Sequence, residues 1–476
     1  MAGLATTFGS GAMTNPVTDL ANSDCILVIG SNFTENHPTI ARWIFDAKKR
    51  GATLIVADPR FTSSAWNADL FLPLMPGTDI SLLNAMMNVI VTEKLYDAKF
   101  IANHTTGFEA VADLVRKYPP EETTYLTHVP THRIVAAARA FANAKAASIV
   151  YCMGVTQHTC GTDTVINCAN LAMMCGQIGR PGTGVNPLRG QDNVQGACDM
   201  GALPNVYPGY QPVTDTAMRA KFASAWNCPP DQLSPKVGLT LVEMTQAADH
   251  GDIRAMLVMG ENPIVVDPNA RHVKQALEHL DFLAVMELFM SETAELADVL
   301  LPAASFAEKR GTKTATDRRV QWMERAVPPV GEARADWQVL CELGKRLGLS
   351  DYFEYKNEEQ ILAEIQRVTP SYAGISAARV KATRGGIPWP CPTIDHPGTP
   401  ILYTDGFKKP DGRGIMKPVE HKLPVEQITP EYPLVLTNGR VVMHYNSGSM
   451  TRRTRALQSR EPDLFVQINP ETAKQY

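Results

Sequence analysis

The sequence predicts an α/β protein: two dinucleotide-type domains on parallel sheets, followed by the start of a β-barrel. Three observations predict it. Short continuous apolar runs end at Gly30, Ala57, Gly154 and Gly260, as strands buried on both faces do. Stretches of helical periodicity lie between these runs, the alternation of a parallel sheet with crossover helices. From about residue 368 the chain turns rich in Pro and Gly, and two β-like runs follow it.

Each element has a local reason. Cys25-Ile-Leu-Val-Ile-Gly30 is a buried strand, and Ser31 to Pro38 is a polar turn. Thr39–Arg50 is a helix with Ile40, Ile44 and Ala47 on one face, and Gly51 stops it. Thr53–Ala57 is the second strand, closed by Asp58-Pro59-Arg60. Phe71-Leu-Pro-Leu74 leads to the turn Pro76-Gly-Thr-Asp79, and Ile80–Leu95 is a helix. Residues 133–147 are Ala-rich and helical, Ser148–Gly154 is another strand, and Thr162–Ile178 is another helix. The stretch Gly179–Gly190 reads as a glycine- and proline-rich loop. Arg254–Gly260 and Phe282–Met286 read as strands of a second α/β unit, and Ala335–Leu347 is helical. Tyr432–Thr437 and Leu464–Ile468 read as strands of a small β-rich domain, cut short at Tyr476. The expected domains are 1–191 and 192–306 (both α/β), a connecting segment 307–425, and the barrel start 426–476.

Composition excludes several function classes. Of the 476 residues, 44% are hydrophobic and 20% charged, enough for a full core and against disorder. The net charge of -4 gives no electrostatic case for nucleic acid or an anionic membrane as a partner. No apolar run approaches the roughly 18 residues of a membrane span. No basic residue precedes Arg42, so residues 1–41 supply no secretory signal. The nine cysteines are odd in number and form no C-x-x-C pair, so no zinc ribbon or local iron–sulfur motif is encoded. Scattered single cysteines of this kind are expected as small buried hydrophobes in a reducing compartment.

Ligands of open parallel sheets bind outside the carboxyl ends of strands, and three such ends are polar here. After Gly30, the group Ser31, Asn32, Thr34, Glu35 and Asn36 suits a phosphate or a purine edge. Asp58 can accept from ribose hydroxyls and Arg60 can meet phosphate. Gly77-Thr78-Asp79 opens a helix, although an ordinary N-cap has the same local sequence. Three in a row favour a nucleotide-containing ligand. The missing G-x-G-x-x-G counts against an ordinary nicotinamide fold. The densest segment is Gly179–Gly201, where ordering so many glycines has a large entropic cost. Arg189 there presents a planar fork to a carboxylate or phosphate; an arginine bonding local carbonyls is the alternative.

Together these stretches resemble the bis-molybdopterin guanine dinucleotide (bis-MGD) oxidoreductases that carry molybdenum or tungsten, above all formate dehydrogenase catalytic (alpha) subunits. The matching pieces are Ala2–Asn15, Ile29–Pro38, Ala57–Arg60, Gly154–Gln157, Gly184–Gly201, Met259–Pro263, Ala297–Pro302, Ala335–Trp337, Thr437–His444 and Met450–Arg453. They run in family order over nearly the whole chain, and the segment around Arg189 is the most specific. The resemblance implies two α/β domains around the cofactor and an aspartate decarboxylase-like barrel. It places Asn32, Glu35, Asn36, Asp58, Arg60, Gly77 and Asp79 on the guanosine and diphosphate ends of one pterin, and Met153, Gln157 and Gln191 along its pterin side. It places Asn262, Glu287, Asp336, Arg440 and His444 on the other pterin. It makes Arg189 the catalytic residue that holds the formate carboxylate.

The resemblance also implies parts that this sequence lacks. The family carries a four-Cys [4Fe–4S] region with an electron-relaying lysine, then a Cys or selenocysteine–His pair that supplies the metal ligand and handles the proton. This sequence begins at Met1, just past the position of that pair. A selenocysteine codon read as a stop would leave such an open reading frame. The expectation is therefore that residues 1–476 alone do not turn over formate. The segment Glu308–Gln321 is more basic than is usual in the family. An iron–sulfur electron-transfer subunit or the N-terminal region is the expected partner. The cytoplasm is the expected compartment, with the periplasm the alternative if an export signal lies upstream. The rival functions are another bis-MGD oxidoreductase such as nitrate reductase, or a non-catalytic relative like the large iron–sulfur subunit of respiratory NADH dehydrogenase.

Overall fold

The computed structural model describes residues 1–476. They form two compact units. The first is Met1–Val237 with Arg310–Glu324 and Glu354–Asn438; the second is Gly238–Lys309 with Arg325–Phe353 and Gly439–Tyr476. Much of the expected connecting segment thus folds into the first unit.

The first unit is built on five parallel strands: β1 (Cys25–Ile29), β2 (Thr53–Ala57), β3 (Leu70–Leu72), β4 (Ala147–Tyr151) and β5 (Gly184–Pro187). Their order in the sheet is β3-β2-β1-β4-β5. The chain therefore winds one way from β1 to β3 and the other way from β4 to β5, which puts a topological switch point between β1 and β4. The period of two sorts β1 between two cores. Cys25, Leu27 and Ile29 join one side with Leu83 and Met86 of α2 (Asp79–Thr92), Ile134 and Phe141 of α3 (Thr131–Asn143), and Leu171 of α4 (Gly161–Met174). Ile26 and Val28 join the other side with Ala41, Ile44 and Ala47 of α1 (Pro38–Lys49). Burial on both faces explains why these strands read as unbroken apolar runs.

β5 was not expected as a strand, because Gly184 and Pro187 weaken a strand reading; both are tolerated here on the sheet's edge. An antiparallel sheet in the same unit pairs Gly311–Thr314 with Arg319–Met323, and the latter with Ile387–Pro388. The basic segment 308–321 is thus largely a hairpin.

The second unit holds a three-stranded parallel sheet of Ala255–Met259, Phe282–Glu287 and Val299–Pro302, with Phe282–Glu287 in the middle. Val258, Leu283 and Val285 pack on Val273 and Leu277 of the helix Ala270–Glu278. The two runs expected as barrel strands, Tyr432–Thr437 and Leu464–Ile468, are not strands. Neither has a ladder partner, and Leu436 and Leu464 are 89% and 93% exposed. A strand needs a neighbour to pair its N–H and C=O groups, so β propensity alone does not make one. Residues 426–476 instead carry short helical turns, at Thr451–Arg453, Arg455–Gln458 and Pro470–Gln475.

All nine cysteines are free thiols, and seven are buried. No helix is long and apolar enough to cross a membrane.

Candidate functional site

The first unit brings its expected site residues to one end of one sheet. Asn32, Glu35 and Asn36 follow β1, Asp58 and Arg60 follow β2, and Gly77 and Asp79 follow β3. Met153 and Gln157 follow β4, and Arg189 and Gln191 follow β5. The loops after β1 and β4 meet across the switch point, where the Gly154 N–H donates to the Gly30 carbonyl at 3.1 Å. A Cβ on Gly30 would lie 2.6 Å from the Val155 nitrogen and its φ is +57°, so only glycine lets the loops approach this closely.

The loop after β1 holds its polar groups in place and leaves several unanswered. Asn32 Oδ1 accepts from Ser64 Oγ at 2.8 Å and Thr34 Oγ1 at 3.1 Å, which fixes the amide and points Nδ2 elsewhere. Asn32 Nδ2, Ser31 Oγ, Asn36 Oδ1 and His37 Nδ1 are all buried without a hydrogen-bond partner. A buried polar atom left unpaired costs about 1–3 kcal/mol. Donors and acceptors clustered this way fit a ligand that both gives and takes hydrogen bonds, as a pterin or a guanine edge does. Glu35 lies to the side, accepting from Ser63 Oγ at 2.9 Å.

Two carboxylates stand on the neighbouring turns. Asp58 accepts from the Arg60 N–H at 2.8 Å, and burial pushes its carboxyl above the usual range against the pull of Arg60. Asp79, at the first position of α2, is pushed up to about 6 by burial; His158 opposes the shift and Asp58 adds to it. Arg60 is partly exposed and Gln157 exposed. Gly77 has φ +83°, and a Cβ there would meet the Pro424 ring at 2.6 Å, so packing also requires this glycine.

Arg189 is held by its backbone more than by its side chain. Its N–H donates to Thr316 Oγ1 at 3.0 Å, and Thr316 donates in turn to the Pro187 carbonyl at 2.9 Å. Its carbonyl lies 2.8 Å from His37 Nε2. The guanidinium Nη2 donates to the Gly11 carbonyl at 3.0 Å, while Nε is buried and unpartnered. One guanidinium nitrogen thus bonds a main-chain carbonyl distant in sequence, not a local one, and Nε is left without a protein partner. A Cβ on Gly190 would meet Met153 Cε at 3.5 Å, so Met153 stands beside this loop. Gln191 is half-buried.

The basic hairpin braces the same loop. The Thr314 N–H donates to Asn193 Oδ1 at 2.8 Å, and Lys313 pairs with Asp192 at 3.2 Å. Farther along, Asp199 is 1% exposed and accepts from Tyr372 Oη at 2.5 Å, Tyr210 Oη at 2.7 Å and Gln195 Nε2 at 2.7 Å. Burial raises its carboxyl to about 6 against those three donors and the nearby Arg189 charge. Sequence reasoning missed His37, Thr316, Asp199, Tyr210 and Tyr372. His37 and Asp199 lie inside the matching motif segments, but nothing local marks Thr316, Tyr210 or Tyr372.

In the second unit the expected residues have hydrogen-bond or ion-pair partners within that unit. Asn262 donates to Glu292 at 2.7 Å and accepts from Thr293 Oγ1 at 2.8 Å and the Thr293 N–H at 3.2 Å. Glu287 accepts from the Leu288 N–H at 2.6 Å, and Asp336 pairs with Lys309. His444 contacts the Glu461 carbonyl at 2.7 Å and Thr451 Oγ1 at 3.3 Å; Arg440 is exposed and donates to the Asn446 carbonyl at 3.2 Å. No hydrogen bond or ion pair joins any two of these five. Arg453, not singled out from the sequence, ties this tail to the loop after Phe282–Glu287. It donates to the Met290 carbonyl at 2.8 Å and lies 4.8 Å from the Phe289 ring centroid.

Polar turns gathered at a switch point are where open parallel sheets bind ligands, and comparison with known proteins supplies the class. The chain belongs to the molybdopterin oxidoreductase family, which matches residues 3–346, and residues 434–476 match a molybdopterin dinucleotide binding domain. Among its relatives is the F420-dependent formate dehydrogenase subunit alpha of Methanocaldococcus jannaschii, 50% identical over 99% of this chain and 69% of that protein. The assimilatory nitrate reductase catalytic subunit of Bacillus subtilis is more distant, at 38% identity over 99% of this chain and 67% of that protein. The chain is thus an oxidoreductase that groups with formate dehydrogenase catalytic subunits. Acetylene hydratase from Pelobacter acetylenicus has the same fold, with a TM-score of 0.77 at 22% identity, covering 100% of this chain and 68% of that one.

Proposed function

We propose that the chain oxidises formate to CO2 as part of a bis-MGD enzyme containing molybdenum or tungsten. One observation carries this reading: Arg189 stands at the carboxyl end of β5, with its peptide clamped and its Nε buried and unpartnered. When bound, the cofactor supplies a two-electron acceptor. Arg189 supplies a charge-assisted bond to the formate carboxylate, orienting the C–H bond for loss of two electrons and a proton. The hairpin and His37 hold the arginine in place before substrate arrives, so little ordering remains when it binds.

Asn32, Asn36 and Ser31 take the pterin dinucleotide through their unpartnered atoms, and Asp58 and Asp79 accept from its guanosine end. Arg60, Gly77, Met153, Gln157 and Gln191 line the same end of the sheet. The second pterin falls to Asn262, Glu287, Asp336, Arg440 and His444. Electrons leave through a [4Fe–4S] region or an iron–sulfur subunit. The F420-dependence in the name of the Methanocaldococcus jannaschii relative makes F420 the first acceptor to try. The proposed compartment is the cytoplasm.

The test is formate-dependent dye reduction by the assembled enzyme, with metal and guanine-nucleotide content measured alongside. Activity with formate and none with nitrate is the expected result. Nitrate reduction without formate oxidation would overturn the reading. Asp58→Ala is expected to lower guanine-nucleotide content while the loaded fraction keeps near-normal formate kinetics.

A further inference from the structure

His37 stands between the two halves of the first site. It ends the turn after β1 that carries Ser31, Asn32 and Asn36, and it precedes α1. The residue is buried, 8% exposed. A carbonyl oxygen has no proton to give, so the 2.8 Å contact with the Arg189 carbonyl requires the proton on Nε2. In the neutral ring Nδ1 is then an acceptor, and Nδ1 is buried without a partner. Burial lowers the tendency of the ring to protonate and so favours this neutral form.

We propose that His37 is a positioning residue that couples the dinucleotide cradle to Arg189: Nδ1 accepts from an N–H or O–H of the bound pterin dinucleotide while Nε2–H holds the Arg189 peptide. The inference rests on the cofactor and formate readings above and adds a physical link between them. The Arg189 peptide has no backbone ladder of its own. Its N–H goes to the Thr316 side chain and its C=O to the His37 side chain, so the placement of the arginine depends on two side chains from distant segments. Filling the cradle fixes the His37 ring, and the ring fixes the peptide.

The test uses three variants of the assembled enzyme. A Gln amide reaches the place of Nε2 and keeps a donor for the Arg189 carbonyl. An Asn amide reaches only the place of Nδ1, and Phe keeps the ring shape without either nitrogen. Loss of one such hydrogen bond predicts a formate KM raised roughly threefold to tenfold in His37→Asn and His37→Phe, with kcat less affected. His37→Gln is expected to recover most of the loss.

The second readout is hydrogen–deuterium exchange in the segment 188–192, compared between cofactor-free and cofactor-loaded protein. Loading should slow exchange in the wild type and should not in His37→Asn, His37→Phe or His37→Gln, because Gln keeps the donor at Nε2 but places no acceptor at Nδ1. The proposal is overturned if His37→Asn and His37→Gln share the same formate KM, if His37→Gln keeps the slowing on loading, or if His37→Phe keeps both the wild-type KM and the slowing on loading. If His37→Phe does not fold, the Asn and Gln pair still decides. If the wild-type enzyme does not oxidise formate, the formate reading falls, while the exchange experiment still decides the coupling.

Discussion

The two parallel sheets end differently, and the difference lies in how far the protein itself satisfies the polar groups placed there. At the carboxyl end of the first sheet, Ser31, Asn32, Asn36, His37 and Arg189 each keep a buried polar atom unpaired, and Asp79 is a buried carboxylate. In the second unit, Asn262 makes three hydrogen bonds, Glu287, Asp336 and His444 have protein partners, and a buried carboxylate oxygen of Asp267, after Pro263–Val266, is unpaired. Burial follows the same division: every residue of Cys25–Ile29 is buried, whereas Leu257 and Met259 on Ala255–Met259 are 38% and 37% exposed. Buried polar groups are usually paired, so the cluster of unpaired atoms makes the first sheet's end the stronger candidate for a ligand site.

The largest expected effect is at Arg189. Arg189→Lys keeps the charge and loses the planar fork. One charge-assisted bond is worth about 1.5–3 kcal/mol, so kcat/KM for formate should fall roughly tenfold to a hundredfold. Cofactor content should stay near normal. Steady-state kinetics with metal analysis checks both, and a fall in metal content equal to the fall in rate would break the separation of substrate and cofactor residues.

Asp79 gives the next effect, and its sign is unusual. Its carboxyl is raised from 3.8 to about 6, so protonation favours the folded state. The stability this provides is complete below 3.8 and is lost as pH rises through about 6. Asp79→Asn removes that loss. The cofactor-free variant should be more stable than the wild type at pH 7.5 by about 1–3 kcal/mol, with the difference vanishing near pH 4. It should also retain less cofactor. Thermal melts at the two pH values, with guanine-nucleotide content at pH 7.5, test the pair; a variant less stable at pH 7.5 would contradict a site strained by its own carboxylate.

Asn262→Ala should cost stability as well as cofactor retention. Removing its amide strands Glu292 and Thr293, at about 1–2 kcal/mol. The melting temperature should drop while formate KM stays unchanged. A pure loss of cofactor with no change in melting would show that the second sheet's end resembles the first after all. The smallest effect is at Gln157, which is exposed and makes no side-chain bond within the protein. Gln157→Ala should alter cofactor-free stability by less than about 0.5 kcal/mol, measured by denaturant titration.

Much of the first site was legible because its signals are local. A strand buried on both faces is an unbroken apolar run, and the residues after it occupy its carboxyl end whatever the rest of the chain does. That reasoning located Asn32, Asp58 and Asp79. It failed at Gly184–Pro187, where the composition of a loop forms an edge strand. It failed again at Tyr432–Thr437 and Leu464–Ile468, where propensity had no neighbouring strand to pair with.

The sequence by itself determined the parallel α/β architecture, the polar turns at the strand ends and the motif around Arg189, since each depends on residues close together in the chain. Only the tertiary structure decided the switch point between β1 and β4, because strand order follows from packing and not from any one segment. It alone decided how Arg189 is held. His37 and Thr316 reach that peptide across 152 and 127 residues of sequence, and Tyr372 reaches Asp199 across 173. Hydrogen bonds over such separations leave no local periodicity, so they became visible only once the sheet and the basic hairpin had brought their donors and acceptors together.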